Sequence, residues 1–285
     1  MKRGRITGLV AAASLAYSLQ AVSQQSSSPT AAATAASAAP IIVQSEFKPD
    51  DRLLLSANGA TLTDSEGGVG GSLGFLHQAT AQLLFGAAGE YQSLADSHWE
   101  FGSLNVAFTH ALTTNSLWSV RVEAHEGGGQ SPTHGFDYSI VAGGLGFAVP
   151  GGIGFDLEER QIDVDTSHGS LPKLTLSKSL GKHWLTTLAY AHSYGGNLDT
   201  EYGLARIDFY SRRVNLLAGG SVGQVNPVVL NVAGVLRPEA RHLKEGFAGI
   251  TAPLSKVDLT LLADYTDLAG IKRFTATLNI TVHLR

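Results

Sequence analysis

The chain of 285 residues has no cysteine and a single methionine. Without cysteine it can form no disulfide scaffold, no thiolate metal site and no lipidated N-terminal Cys. That composition suits an oxidising compartment. Charge is scarce too: 15% of residues are Asp, Glu, Lys or Arg, and the net charge is −4. An acidic chain with no basic patch excludes nucleic acid as a partner. Long apolar runs are missing as well. From about Asp51 onward no stretch approaches the ~20 apolar residues of a membrane helix, and no 3.6-residue apolar period is sustained. The 10 histidines show no H-x-x-x-H or H-E-x-x-H spacing, so no metal site and no cofactor are expected.

What the chain does have is 44% hydrophobic residues, 33 glycines and a mean hydropathy of +0.07. Lys2, Arg3 and Arg5 precede an apolar run through Ile6, Leu9, Val10, Leu15 and Ala16, and Ala21–Ser23 ("AVS") offers small residues to a signal peptidase. Residues 1–23 therefore read as a secretory signal peptide, cleaved after Ser23 or after Ala21, and too short for a spanning helix. Its removal takes the net charge from −4 to −7. Residues 24–50 open with "QQSSSPTAAATAASAAP" (Gln24–Pro40), a Ser/Ala/Thr-rich stretch with no period, and read as a disordered periplasmic linker.

Residues 51–285 carry a two-residue alternation instead. In "RFTATLNITVHLR" (Arg273–Arg285), Phe274, Ala276, Leu278, Ile280, Val282 and Leu284 are apolar and every residue between them is polar or charged. Trp118–His125, Ile153–Glu158, Ala205–Phe209 and Val257–Tyr265 alternate in the same way. Alternation of this kind places one strand face in an apolar medium and the other in a polar one. The stretches amount to about fourteen strands of roughly ten to thirteen residues, with twelve as the alternative count, which is the length a tilted strand needs to cross a membrane.

Tight connections are expected at His77–Thr80, Pro150–Gly152, Gly181–His183 and Leu254–Lys256. Longer ones are expected at Ser93–His98, Glu126–Thr133 and around Val225–Ala240. Short turns at one end and long loops at the other mark an up-and-down antiparallel transmembrane β-barrel of the outer membrane, with the short side periplasmic. A terminal strand would fray unless paired. The last strand should therefore pair with the first, near Arg52–Leu62, and leave no edge in lipid. A secreted β-sandwich is the alternative, with shorter strands and a two-sided core.

The alternating C-terminal strand resembles the signal that bacterial barrel-assembly machinery reads, although that signal usually ends in an aromatic residue and this chain ends in Leu284–Arg285. Strand count and short hairpins, with "LTTLAYAHSYGGNLDTEYGLARIDF" (Leu185–Phe209) carrying the nearest likeness, are similar to the YaiO-like outer-membrane proteins, which accompany surface polysaccharide synthesis and secretion. The resemblance implies export or surface handling of a polysaccharide. It also implies outer-membrane lipid, barrel-assembly machinery and polysaccharide or polysaccharide-secretion proteins as partners.

Enzyme-like motifs have plainer explanations. "GGSLG" (Gly70–Gly74) and "GGSVG" (Gly219–Gly223) fit G-x-S-x-G, but both lie in strand patterns and lack the strand-turn-helix context of a nucleophile elbow. His192 and Ser193 are adjacent, so on a strand they face opposite ways and cannot act as base and nucleophile. "DVDTSHG" (Asp163–Gly169) shares only D-x-D with a calcium loop. No enzyme is expected.

If the apolar positions face lipid, then Glu90, Arg121, Glu123, His125, Asp156, Glu158, Arg160, Arg206, Asp208, Asp258 and Asp264 face the lumen. Such a set serves either as a salt-bridge network filling the barrel or as a channel or sugar-binding lining. A small-solute diffusion channel and an outer-membrane acyl hydrolase built on His192 and Ser193 are the alternatives to polysaccharide handling.

Overall fold

The computed structural model describes residues 51–63, 65–80, 82–94, 97–113, 116–130, 135–164, 167–225, 241–268 and 271–284. The signal peptide and linker expected in 1–50 and the long connection 226–240 lie outside the described residues. Fourteen strands follow in order: β1 (Asp51–Leu62), β2 (Ser65–Gln78), β3 (Leu83–Leu94), β4 (Ser97–Thr113), β5 (Ser116–Gln130), β6 (Gly135–Val149), β7 (Ile153–Val164), β8 (Ser167–Leu180), β9 (Trp184–His192), β10 (Glu201–Tyr210), β11 (Asn215–Val225), β12 (Arg241–Pro253), β13 (Val257–Leu268) and β14 (Ile271–His283). Each pairs antiparallel with its sequence neighbours, and β14 returns to β1, from Arg52↔His283 to Leu62↔Arg273. The barrel is closed, so every strand has two partners and no row of N–H and C=O groups is left open. The terminal segment of the sequence is an interior strand of the sheet.

Alternation decides the faces. Along β6 exposed and covered residues alternate almost without a break. Val141, Leu145 and Phe147 point outward at 50%, 47% and 49% exposure, while Ala142 between them is 4% exposed. The large apolar residues lie on the open side, the reverse of a water-soluble sheet. Cross-strand pairing lines them up in rows such as Leu216–Ile250–Leu261–Leu278 across β11 to β14. On β13 the outward apolar set runs from Val257 to Tyr265, roughly 20 Å of height for a tilted strand. Phe85, Phe108, Trp118, Phe147, Phe155, Trp184 and Phe209 form an aromatic girdle at the tight-turn edge of this band, with Trp184 and Phe209 ring centroids 4.8 Å apart. Tyr91, Tyr190, Tyr265 and Phe274 mark the opposite edge. Apolar band and girdles are the outer surface of a lipid-embedded barrel.

The even-to-odd connections are tight. At Pro150–Gly152 the reversal is made by Gly151 and Gly152 at φ +88° and +71°, a left-handed backbone that disfavours side chains. Of the odd-to-even connections expected to be long, two are shorter than the sequence suggests. β3 reaches Leu94 and β4 begins at Ser97, and β5 continues through Gly127–Gly129 to Gln130. The glycine run looks like a loop in sequence, yet it stays paired because large residues lie over it. A Cβ at Gly129 would fall 2.5 Å from the Phe136 ring and 2.6 Å from Trp99 Cβ. Glycine here makes room for bulk on its neighbours. The strands accordingly extend to 17 residues in β4, beyond the expected ten to thirteen.

Candidate functional site in the barrel lumen

The inner face has two zones. Towards the end carrying the odd-to-even connections, Ala60, Trp99, Phe101, Phe136, Ile140, Ile162, Val164, Leu171, Ala191, Leu198, Val225 and Leu243 form one buried apolar cluster, with Tyr138 and Tyr202 packed against it. Leu198 belongs to the connection between β9 and β10. It is fully covered, in a turn tied to β8 by reciprocal backbone bonds between Ser170 and Tyr194. Nearer the middle of the barrel the inner face is polar and charged.

All eleven charged or imidazole residues singled out from the sequence stand at inward positions, opposite the apolar band. Six of the named residues meet on β5 and β7. Arg121 donates to both carboxylate oxygens of Asp156, at 2.5 and 2.7 Å, and to Glu158 at 2.6 Å. Glu158 also accepts from Arg160 Nε at 2.6 Å and pairs with Lys173 Nζ at 2.9 Å. Glu123 lies 3.9 Å from Arg160 and 3.4 Å from His125. Three of these contacts, Arg121 to Asp156, Arg121 to Glu158 and Glu123 to Arg160, skip a strand. Between β5 and β7 lies β6, whose inward residues at this height are Ala142, Gly144 and Gly146, paired with Glu123, Arg121 and Ser119 on one side and with Arg160, Glu158 and Asp156 on the other. A Cβ on Gly144 would fall 2.6 Å from Arg121 Cζ. The small residues of β6 are the gap through which the charges join.

The same device recurs on β1 to β3. Asn58 and Gln92 exchange amide hydrogen bonds of 3.0 and 3.3 Å across Gly70 of β2. Of the remaining expected residues, Arg206 and Asp208 pair with each other on β10 at 2.5 Å, and Asp258 meets His283 at 3.1 Å near the tight-turn end. Glu90 is inward on β3, opposite Ser72.

Asp264 belongs to a second charged wall, on β11 to β14. Ser221 Oγ donates to Glu245 Oε2 at 2.6 Å, Thr266 Oγ1 donates to Asp264 Oδ2 at 3.2 Å, and Arg273 Nη2 donates to Thr266 Oγ1 at 3.3 Å while lying 3.5 Å from Asp264 Oδ1. Arg273 is 1% exposed. Among the described residues two of its donor atoms, Nε and Nη1, have no hydrogen-bond partner, nor do Glu245 Oε1, Asp264 Oδ1 and Thr275 Oγ1.

Sequence reasoning missed Lys173, Glu245 and Arg273. Lys173 alternates with outward Leu174 and Leu176 and was findable by parity. Glu245 was masked by its neighbours, because β12 carries Lys244 outside and Phe247 inside and so breaks the apolar/polar alternation. Arg273 shares the parity of Thr275 and Thr277 but precedes the first apolar residue of the terminal pattern.

The hydrolase arrangement is not assembled. His192 is outward, 3.8 Å from Glu201, and Ser193 Oγ accepts from Thr200 N at 2.7 Å. Ser221 is committed to Glu245, within a strand. Among the described residues no group of three or more His, Asp or Glu side chains is placed to hold a metal ion.

No protein-family model and no curated protein sequence matches the chain. Solved structures do. The chain is similar to the CymD monoaromatic hydrocarbon channel, with a TM-score of 0.54 and 9% identity over 84% of this chain and 90% of that one. It is similar to the P. putida toluene transporter TodX, at 0.51 and 11% over 83% and 90%. It is also similar to the Acinetobacter baumannii outer membrane protein Omp33, at 0.52 and 12% over 82% and 99%. At such identities the likeness is one of fold. That fold, a closed antiparallel barrel with an apolar belt, is the fold of an outer-membrane protein.

Proposed function

We propose that the chain is an outer-membrane channel for small solutes, with the apolar cluster as its outer constriction and the charged walls as its lining. One observation carries this reading: the ion pairs among the described residues run along the wall, in part reaching over β6 from β5 to β7. Eight strands make an interior that side chains just fill, and diameter grows roughly linearly with strand number. Fourteen strands therefore enclose a wider bore than eight, and charges satisfied sideways need no partner across it. Charges of both signs pairing in the wall keep the lining hydrophilic without a strong field of one sign. The likeness to a monoaromatic hydrocarbon channel and a toluene transporter supports passage of small molecules.

The same observation ranks this reading above export or surface handling of a polysaccharide, which rests on the likeness to YaiO-like strand patterns alone. On either reading the partners are outer-membrane lipid around the belt and the barrel-assembly machinery during insertion. The test is conductance of the refolded chain in planar bilayers, with liposome swelling for neutral solutes. Discrete conductance steps and swelling with solutes of monosaccharide or monoaromatic size are expected. Silent bilayers and unswollen liposomes would leave the polysaccharide reading in its place.

A further inference from the structure

Five of the eight buried side-chain polar atoms that lack a hydrogen-bond partner among the described residues belong to one wall: Glu245 Oε1, Asp264 Oδ1, Arg273 Nε and Nη1, and Thr275 Oγ1. Buried polar groups are nearly always paired, and an exception calls for a partner from outside the chain. Register explains why these atoms converge. Ser221, Glu245, Thr266 and Arg273 stand in one cross-strand row, and Asp264 and Thr275 in the next. They alternate in kind as well, with acceptors on β12 and β13, donors on Arg273 and a hydroxyl on Thr275.

We infer that this wall is a binding site for a neutral polyhydroxylated solute, of the polyol or sugar class, an inference that rests on the channel reading. A hydroxyl accepts from one neighbour and donates to another, so vicinal hydroxyls satisfy a guanidinium and a carboxylate side by side. Other classes fit worse. A carboxylate binds arginine best along one edge of the guanidinium, through two parallel N–H bonds. The free atoms Nε and Nη1 lie on different edges of the guanidinium, each shared with Nη2, one of whose two N–H bonds goes to Thr266, so a carboxylate pairs along at most one edge and leaves the other donor bare. An ammonium would satisfy Glu245 and Asp264 but would leave the Arg273 donors bare and add a like charge beside them. The side chain of Asp264, 13% exposed beside an Arg273 side chain at 1%, forms the edge that a solute meets first.

The experiment uses the full refolded chain in detergent, titrated calorimetrically with maltose as the neutral probe, glucuronate as the anionic one and glycine betaine as the zwitterion. Maltose should bind saturably and at least about tenfold more tightly than either charged probe. Glu245→Gln, which keeps an acceptor for Ser221, and Arg273→Gln should each weaken maltose binding about tenfold, the loss of one charge-assisted hydrogen bond. Heat-modifiable migration on gels shows whether each variant is folded, and the ranking of probes on the unaltered chain needs no variant. Absence of maltose binding by a chain that conducts in bilayers, a glucuronate affinity equal to or above that of maltose, or unchanged maltose affinity in both folded variants would overturn the assignment. Maltose binding by a chain that is silent in bilayers would instead retain the site and overturn the channel.

Discussion

Glu158 shows how much a single inward residue holds. Its side chain is 4% exposed and is flanked by Arg121, Arg160 and Lys173 at 2.6 to 2.9 Å. Three cations taken out of bulk water depend on it, with Asp156 and Glu123 completing the balance. Removing one member of a buried ion network costs about 3–5 kcal/mol, since the partners remain buried and uncompensated. Glu158→Ala should lower the denaturant midpoint of the folded barrel accordingly, read by tryptophan fluorescence in urea; a change below the error of that measurement would mean that water, not Glu158, solvates these cations. Gly144 is the complementary position. With Arg121 Cζ 2.6 Å from where its Cβ would be, Gly144→Val must displace the guanidinium from Asp156 and Glu158. Overpacking of this kind costs about 1–3 kcal/mol. The expected shift is smaller than for Glu158→Ala but of the same sign, whereas Gly143→Val, outward on the same strand with nothing within 4 Å, should change little.

At the level of the strand, legibility in the sequence follows how cleanly its two faces differ. β14 reads directly, because Phe274 to Val282 face out and Thr275, Thr277 and Thr281, all under 9% exposed, face in. β12 does not, because Phe247 is inside and packs over Gly219 while Lys244 is outside. The glycine-rich end of β5 does not either, because glycine signals a turn when its use is to make way for Trp99 and Phe136. The ion pairs between β5 and β7 were half-legible for a related reason: parity gives the face of a charge, but the partner lies two strands away and depends on the small residues of β6 in between. Parity itself is testable on neighbouring positions. Leu261 is outward and 53% exposed, whereas Thr260 is 8% exposed and hydrogen-bonded to Thr251 at 2.8 Å. Leu261→Arg should cost about 2–4 kcal/mol by placing a cation in hydrocarbon. Thr260→Arg loses the Thr251 bond, worth about 1 kcal/mol, and turns its charge to the lumen. Assembly yields of the two variants in vesicles should therefore differ clearly, and equal yields would reverse the assignment of faces.

For the whole molecule, closure is the property on which the others depend. An open sheet of fourteen strands would leave the outer edges of β1 and β14 unpaired in lipid, and each unsatisfied backbone group there costs several kcal/mol. Eleven directly paired residue positions join β1 to β14, from Arg52↔His283 to Leu62↔Arg273. Since the chain has no native cysteine, the seam can be probed without background. Directly opposed residues on antiparallel strands bring their Cα atoms to about 4.5–5.5 Å, within the range a disulfide spans. Ser56→Cys with Asn279→Cys, opposed and inward, should form a disulfide in the outer-membrane fraction, visible as altered migration of the unfolded chain on non-reducing gels. Ser56→Cys with Leu278→Cys, one residue out of register and on the other face, should not. Deleting residues 278–285 removes the pairing from Ala57 to Arg52 and exposes both edges over half the height of the barrel. That protein should fail to reach the outer membrane and should show no heat-modifiable band. A truncated chain that inserts and keeps its heat-modifiable form would mean that the barrel closes through another pair of strands.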